Sequence, residues 1–171
     1  MSEPAPLACH GLSLRVPGRE LLRGLDAAFE RGRVVAVLGR NGAGKSTLLH
    51  VLAGLRSPGS GEVTVQGRAL SAWPRRELAR QLALLPQSVE DPFPGTVLET
   101  ALVGRHPHLS FWQWEGDQDH AVVRRCLAEV DLAGLEERDV ATLSGGERRR
   151  LAIASVLAQD APVLLLDEPI Q

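Results

Sequence analysis

Residues 39–47 read Gly39-Arg40-Asn41-Gly42-Ala43-Gly44-Lys45-Ser46-Thr47, and the fold of this 171-residue chain depends on them. An apolar run at residues 34–38 precedes the stretch, and a helical pattern of apolar residues follows it, so the order is strand, glycine loop, helix. The spacing Gly-x-x-x-x-Gly-Lys-Ser allows the backbone N–H groups and the helix N-terminus to point at a chain of phosphates. The sequence therefore predicts a polyphosphate site.

Three side chains of the loop have chemistry suited to a nucleotide. Lys45 supplies a point charge near the β- and γ-phosphates, the Ser46 hydroxyl can bind Mg²⁺, and Thr47 adds a second hydroxyl. The alternative is a structural turn between a strand and a helix, with Lys45 merely solvated, which would also require glycines at these positions. A dinucleotide-binding fingerprint is disfavoured, because it has no terminal Lys-Ser pair and requires an acidic residue about 20 positions further on.

Polar side chains also follow two other predicted strands. Asp167 and Glu168 come directly after the apolar run at residues 163–166, where Asp167 can hold the hydration shell of Mg²⁺ and Glu168 can accept a proton from an attacking water. Gln87 follows the predicted strand Leu82–Leu85 and Pro86, at the end of a strand where open α/β sheets place residues that face a ligand. Taken alone, Gln87 would be interpreted as an ordinary exposed amide.

A second glycine-containing turn begins a helix near the C-terminal end of the sequence. The residues are Leu143-Ser144-Gly145-Gly146-Glu147, and a helix is predicted to follow them. A helix N-terminus with a hydroxyl and two glycines can bind an anion. Ser144 and Glu147 also have the spacing of a capping box, so a purely structural helix cap is the alternative.

Composition places the chain among globular domains. It is 44% hydrophobic and 23% charged with a net charge of −2, and its pI is about 6.2. That balance disfavours a protein that binds nucleic acid. Arginines cluster at residues 148–150, which we interpret as the solvated face of a helix. The apolar runs are too short to span a bilayer.

The coarse secondary-structure pattern is mixed. Residues 7–16 and 21–29 are predicted to form an antiparallel pair of strands, and residues 34–38 a strand buried on both faces. Residues 105–114 contain all but one of the three Trp residues and two of the five His residues. An exposed aromatic patch there would indicate a protein partner, and packing onto the domain is the alternative. We interpret His106 and His108 as non-ligands, since no acidic or Cys residue is suitably spaced.

The order of these motifs closely resembles that of the ATP-binding subunit of ABC transporters, and the resemblance covers almost the whole chain. It implies an α/β fold: a P-loop NTPase (RecA-like) core with an N-terminal antiparallel β subdomain and a helical signature subdomain. The core would comprise about residues 1–86 and 159–171, and the Q-loop and signature subdomain about residues 87–158.

The same resemblance assigns roles to the motifs. Residues 39–47 are Walker A and bind ATP, and Ser144, Gly145, Gly146 and Glu147 are the signature, which also contacts nucleotide. Ser46, Gln87 and Asp167 are the Mg²⁺ ligands, where Gln87 is the Q-loop glutamine and Asp167 the Walker B acid. Glu168 is the catalytic glutamate, and Gln87 is assigned as a second catalytic residue.

Residues 104–108, Gly-Arg-His-Pro-His, resemble the importers of iron-siderophores, haem and cobalamin. The resemblance implies a cytoplasmic subunit, peripheral on the inner face of the plasma membrane. It would bind a membrane permease through residues between Gln87 and Trp114, and a substrate-binding protein only indirectly. Two copies would form a homodimer that sandwiches ATP, and nucleic acid is not an expected partner.

The sequence departs from the family pattern at two places. The aromatic residue on which the family stacks adenine corresponds to Val16 here, and the sequence stops soon after Glu168, so the resemblance implies that the D-loop and the histidine switch are missing. We therefore expect exposed apolar surface beside residues 163–167, weak nucleotide binding and poor hydrolysis. The alternatives are a soluble, non-transport ABC-type ATPase and a non-catalytic nucleotide-binding fragment.

Overall fold

The computed structural model describes residues 4–87, 94–110 and 112–167. Its helices and strands alternate along the chain in a mixed α/β order. They are β1 (Leu7–Val16), β2 (Arg19–Phe29), α1 (Lys45–Leu52), β3 (Ser60–Val65), β4 (Arg68–Ala69), α2 (Arg75–Ala79), β5 (Leu82–Leu85), α3 (Val97–Leu102), α4 (Asp117–Glu129), α5 (Gly145–Ala158) and β6 (Val163–Leu166).

The chain forms two compact units. The first runs to Leu84 and resumes at Pro162, and the second runs from Leu85 to Ala161. The first contains an antiparallel sheet of order β2-β1-β3-β4 and the pair β5-β6. The second contains the helices α3, α4 and α5.

The antiparallel sheet forms as the sequence predicts. β1 and β2 pair from Leu7 opposite Phe29 to Val16 opposite Arg19, and the turn between them contains Gly18 at φ 75°. That left-handed conformation suits glycine because it has no Cβ. The inner face of β1 contributes Leu7, Leu12 and Leu14 to a core that also includes Val51 and Leu52 of α1.

Each helix of the second unit contributes one buried face to a separate core. Val97 and Ala101 of α3, Val123 and Leu127 of α4, and Ala154 of α5 are all fully buried there. Thr96 begins α3 with a capping box, in which its hydroxyl accepts from the Glu99 amide at 3.2 Å.

The predicted buried strand at residues 34–38 is not formed. Those residues have no regular secondary structure, and Val34 and Leu38 are 100% and 90% exposed. A strand buried on both faces needs a hydrogen-bonded neighbour and a covering layer. None of the described strands pairs with this run. Val35 and Val37 instead line an open groove of about 150 Å³ together with residues 162–165.

The apolar exposure expected beside β6 is confirmed. Leu164 and Leu166 are 41% and 43% exposed, whereas Leu165 between them is buried. The same groove of about 150 Å³ reaches Leu164 and is also lined by Leu49 and Leu52 of α1. One face of β6 is therefore apolar and accessible in the described part of the chain.

Candidate functional site

The glycine loop adopts a backbone that requires glycine at two positions. Gly42 has φ 76° and Gly44 has φ 100°, both in the left-handed region. Gly44 is the residue before α1, and a Cβ there would also lie 3.0 Å from Leu21 Cδ1. The loop is thus shaped by conformations that other residues adopt only with strain, and it leads directly into the N-terminus of α1.

Lys45 folds back over the loop that precedes it. Its ammonium donates to the Gly39 carbonyl oxygen at 3.0 Å and to the Arg40 carbonyl oxygen at 3.3 Å. Gly39 to Ala43 are exposed, so the loop is open to solvent. The lysine is therefore held at the loop in a position from which it can exchange carbonyl partners for a more strongly attracting anion.

The candidate metal ligands of the first unit differ in exposure. Asp167 directly follows β6 and is only 3% exposed, and Ser46 in the first turn of α1 is half-buried. A carboxylate and a hydroxyl are hard oxygen donors of the kind that Mg²⁺ prefers. Glu168, the predicted catalytic glutamate, lies outside the described residues.

The second glycine turn forms the capping box that was the structural alternative. Ser144 Oγ accepts from the Glu147 amide at 3.2 Å, and Glu147 Oε2 accepts from the Ser144 amide at 2.7 Å. The hydrogen bonds that the Glu147 carboxylate accepts, first from the Ser144 backbone N–H and second from the Ser144 side chain, hold the pKa of Glu147 below its ordinary value. Ser144, Gly145 and Gly146 are exposed at the N-terminus of α5, so the cap is compatible with anion binding there.

Among the described residues, no atom fills the space above the two glycines of this turn. A Cβ at Gly145 would meet no atom within 4 Å, and one at Gly146 would lie 4.0 Å from Arg150 Nη1. Neither glycine has a positive φ. The packing of this unit and its backbone conformation therefore give no reason for glycine at either position.

At residues 148–150, interpreted as a solvated helix face, Arg150 is exposed, whereas Arg148 and Arg149 are half-buried and also make hydrogen bonds within the chain. Arg148 donates to the carbonyl oxygens of Leu143 and Ala141 at 3.1 and 3.0 Å. Arg149 donates to the carbonyl oxygens of Pro86 and Gln87 at 2.9 and 3.2 Å. A charge run in the sequence cannot reveal the contacts of Arg149, because their acceptors are backbone groups more than 60 positions away.

Arg105, in the Trp-containing segment at residues 105–114, forms a buried ion pair with Asp119. The sequence pattern did not reveal this pair. Val103–His108 forms a 3₁₀ helix that contains Arg105. The Nε nitrogen of Arg105 donates a hydrogen bond to Oδ1 of Asp119, in the first turn of α4, at 2.9 Å. Arg105 Nη1 also donates to the Ala158 carbonyl oxygen at 2.9 Å. The hydrogen bond from Arg105 is the main reason why the pKa of Asp119 lies below its ordinary value.

The two histidines of this segment have protein partners. His108 Nε2 lies 2.8 Å from the Gln159 carbonyl oxygen, and His106 Nε2 lies 3.7 Å from Glu115 Oε1. Trp112 and Trp114 are 89% and 87% exposed. Of the two interpretations given to the aromatic patch, exposure is therefore the one that the structure supports.

The predicted site residues divide between the two units. Gly39 to Thr47 and Asp167 belong to the first, and Gln87 and Ser144 to Glu147 belong to the second. Within the second unit, α5 links two predicted elements, because Ser144 to Glu147 begin the helix and Arg149 on the same helix contacts Gln87.

Comparison with known proteins gives consistent matches. The sequence model of the family described as ABC transporter matches residues 22–171. The hemin import ATP-binding protein HmuV of Streptomyces coelicolor is 46% identical over 166 residues, which cover 95% of this chain and 57% of that relative. The cobalamin import ATP-binding protein BtuD of Halobacterium salinarum is 43% identical over 159 residues, which cover 93% of this chain and 39% of that relative.

A solved structure of a metal-chelate type ABC transporter in an inward-facing conformation matches with a TM-score of 0.80 and 30% identity, covering 96% of this chain and 61% of that chain. These matches confirm the fold class predicted from the motifs. The chain spans about half the length of the curated relatives. Across the described residues, no helix has both the length and the apolar character needed to cross a membrane.

Proposed function

The chain belongs to the ABC transporter family, and from this premise we propose that it is the ATP-binding, ATP-hydrolysing subunit of an importer. Nucleotide binding follows from the family, and ATP is the nucleotide we assign. The cargo that we propose is an iron chelate, haem or cobalamin, since the relatives are named for hemin and cobalamin import.

The observation that carries the proposal is the geometry of residues 39–47. Two left-handed glycines, at φ 76° and φ 100°, open the backbone immediately before the N-terminus of α1. Lys45 lies over that backbone at 3.0 Å from the Gly39 carbonyl oxygen. A triphosphate would replace those carbonyl oxygens as the partner of the ammonium, and the loop amides would bind its oxygens.

Mg²⁺ fits the donors that we assign to it. Ser46 and the buried carboxylate of Asp167 supply hard oxygen atoms in the first unit, and Gln87 is the third proposed ligand. When bound, Mg²⁺ neutralises charge on the β- and γ-phosphate oxygens. Glu168 would accept a proton from the attacking water, with Gln87 assisting the reaction.

Two copies of the chain would share the nucleotide. We assign Ser144, Gly145, Gly146 and Glu147 to contact ATP held by residues 39–47 of a second copy. The open space at Gly145, where a Cβ would meet no atom of the described residues within 4 Å, supports this assignment. Glycine without an internal reason suits a surface that another molecule approaches closely.

The permease is the proposed membrane partner, with the substrate-binding protein acting only indirectly. The exposed rings of Trp112 and Trp114 support a protein-contacting surface in the second unit. Large aromatic side chains are enriched at protein interfaces because they bury much area with few rotatable bonds. The subunit would then lie on the inner face of the plasma membrane in the cytoplasm.

Dimer formation tests the proposal with matched variants. In a Glu168→Gln chain, which should retain ATP, we expect light scattering after gel filtration to detect a dimer that depends on Mg²⁺ and ATP. Gly145→Asp should abolish the dimer and keep nucleotide binding. Gly116→Asp is the control, because a Cβ at Gly116 also meets no described atom within 4 Å and Gly116 also lies at a helix N-terminus, as the N-cap of α4. Equal dimerisation of both variants would contradict the assigned role of the signature.

A further inference from the structure

Arg149 is the side chain of α5 that reaches the segment following β5. Its Nη1 nitrogen lies 2.9 Å from the Pro86 carbonyl oxygen and 3.2 Å from the Gln87 carbonyl oxygen. That nitrogen has two hydrogens, so it can donate to both oxygens at once. The arginine is half-buried, and hydrogen bonds from a guanidinium are stronger than those between neutral groups.

The same helix holds the other predicted element of this unit. Ser144 and Glu147 cap the N-terminus of α5, and Arg148 binds the Leu143 carbonyl oxygen at 3.1 Å. The 14-residue helix is stiff because its backbone bonds are internal. Gln87 and the signature turn are therefore attached to one rigid element through contacts of known geometry.

We propose that Arg149 is a positioning residue for Gln87. By fixing the carbonyl oxygens of Pro86 and Gln87, it sets the backbone from which the Gln87 side chain extends, and so links that side chain to the signature helix. The proposal rests on the function proposed above, in which Gln87 contributes to Mg²⁺ binding. Arg149 acts through Gln87 and touches neither nucleotide nor metal.

The test compares ATP affinity with and without Mg²⁺, measured by calorimetry on the full chain. Arg149→Met should leave the affinity for metal-free ATP unchanged. It should reduce the gain in ATP affinity that Mg²⁺ produces by about tenfold, because the loss of one charged hydrogen bond has an effect of that size. Arg124→Met is the matched control, an exposed arginine on α4, and should change neither value. An equal loss with and without Mg²⁺ would overturn the proposal.

A double-variant cycle separates positioning from general support of the fold. In a Gln87→Ala chain, Arg149→Met should cause no further loss of the Mg²⁺-dependent gain, because the side chain through which it acts is gone. A second full tenfold loss would contradict the proposal. If Arg149→Met melts earlier than the parent chain, Arg149→Lys, which keeps a cationic donor, should recover part of the Mg²⁺-dependent gain, and no recovery would contradict the proposal.

Hydrogen exchange distinguishes failure of this inference from failure of the proposed function. Without nucleotide, Arg149→Met should speed amide exchange in peptides that contain Pro86 and Gln87, relative to Arg124→Met. Unchanged exchange would overturn the tether even if ATP binds. Absence of ATP binding by the parent chain, with faster exchange in the variant, would instead contradict the proposed function while retaining the contact.

Discussion

The Arg105–Asp119 pair provides the sharpest stability prediction, because both side chains are almost fully buried. They are 8% and 12% exposed, and Asp119 accepts from Arg105 Nε at 2.9 Å and from the Gly116 amide at 3.1 Å. Asp119→Ala leaves a buried guanidinium without its carboxylate, which costs about 3–5 kcal/mol. Arg105 retains its bond to the Ala158 carbonyl oxygen, so we expect the lower end, about 3 kcal/mol.

The assay is thermal and urea unfolding followed by circular dichroism at helix-sensitive wavelengths. For a unit of this size, a loss of about 3 kcal/mol in the free energy of unfolding lowers the melting temperature by more than about 10 °C. Asp117→Ala is the matched control, since Asp117 is an exposed acid in the same first turn of α4. Its loss should cost at most about 1 kcal/mol. Equal shifts for the two variants would refute the reasoning.

Acidification provides an independent check on the same pair. The pKa of Asp119 is lowered in the folded chain, mainly by the hydrogen bond from Arg105. The stability that it contributes is therefore complete above the ordinary carboxyl pKa of about 4 and is lost as pH falls through the lower folded value. The difference in melting temperature between parent and Asp119→Ala should narrow from pH 6 to pH 3. A constant difference would contradict the assignment.

Three further predictions concern other parts of the chain. Gly104→Ala should lower the melting temperature markedly, because a Cβ there would come within 2.1 Å of the Ser155 carbonyl oxygen; an unchanged melting curve would contradict that contact. Burial raises the pKa of the Cys9 and Cys126 thiols, so both should resist alkylation at pH 8 until urea unfolds the chain, as mass spectrometry of the labelled protein would detect. The pKa of Glu147 is lowered in the folded chain, so the stability that its carboxylate contributes is lost as the pH falls. From pH 6 to pH 3 the melting temperature of the parent should therefore fall more than that of Glu147→Gln, which keeps an uncharged acceptor in the cap. Equal falls in melting temperature would argue against the cap.

Local patterns predicted the elements whose determinants lie close together in the sequence. The Ser144 cap, the β1-β2 hairpin and the start of α1 after Gly44 depend on residues a few positions apart. Such signals are strong because side-chain caps and left-handed glycines act within a single turn. The glycine loop at residues 39–47 belongs to this class, which is why its left-handed glycines could be expected from nine residues.

Long-range contacts were not predictable in the same way. The run at residues 34–38 has the composition of a buried strand, but whether it pairs depends on neighbours that a local pattern does not describe. The acceptors of Arg149 lie more than 60 positions away in the chain. The Arg105–Asp119 pair spans a 3₁₀ segment and the first turn of α4. In each case tertiary structure determined the outcome.

Calorimetric titration of Mg-ATP into the parent chain and into Lys45→Ala tests the central claim most directly. The account predicts saturable binding to the parent that is lost in the variant, because the Lys45 ammonium lies over the loop that would hold the phosphates. Arg124→Ala, which removes an exposed cation from α4, should bind as the parent does. Absence of binding to the parent, or equal binding by Lys45→Ala, would contradict a nucleotide site at residues 39–47.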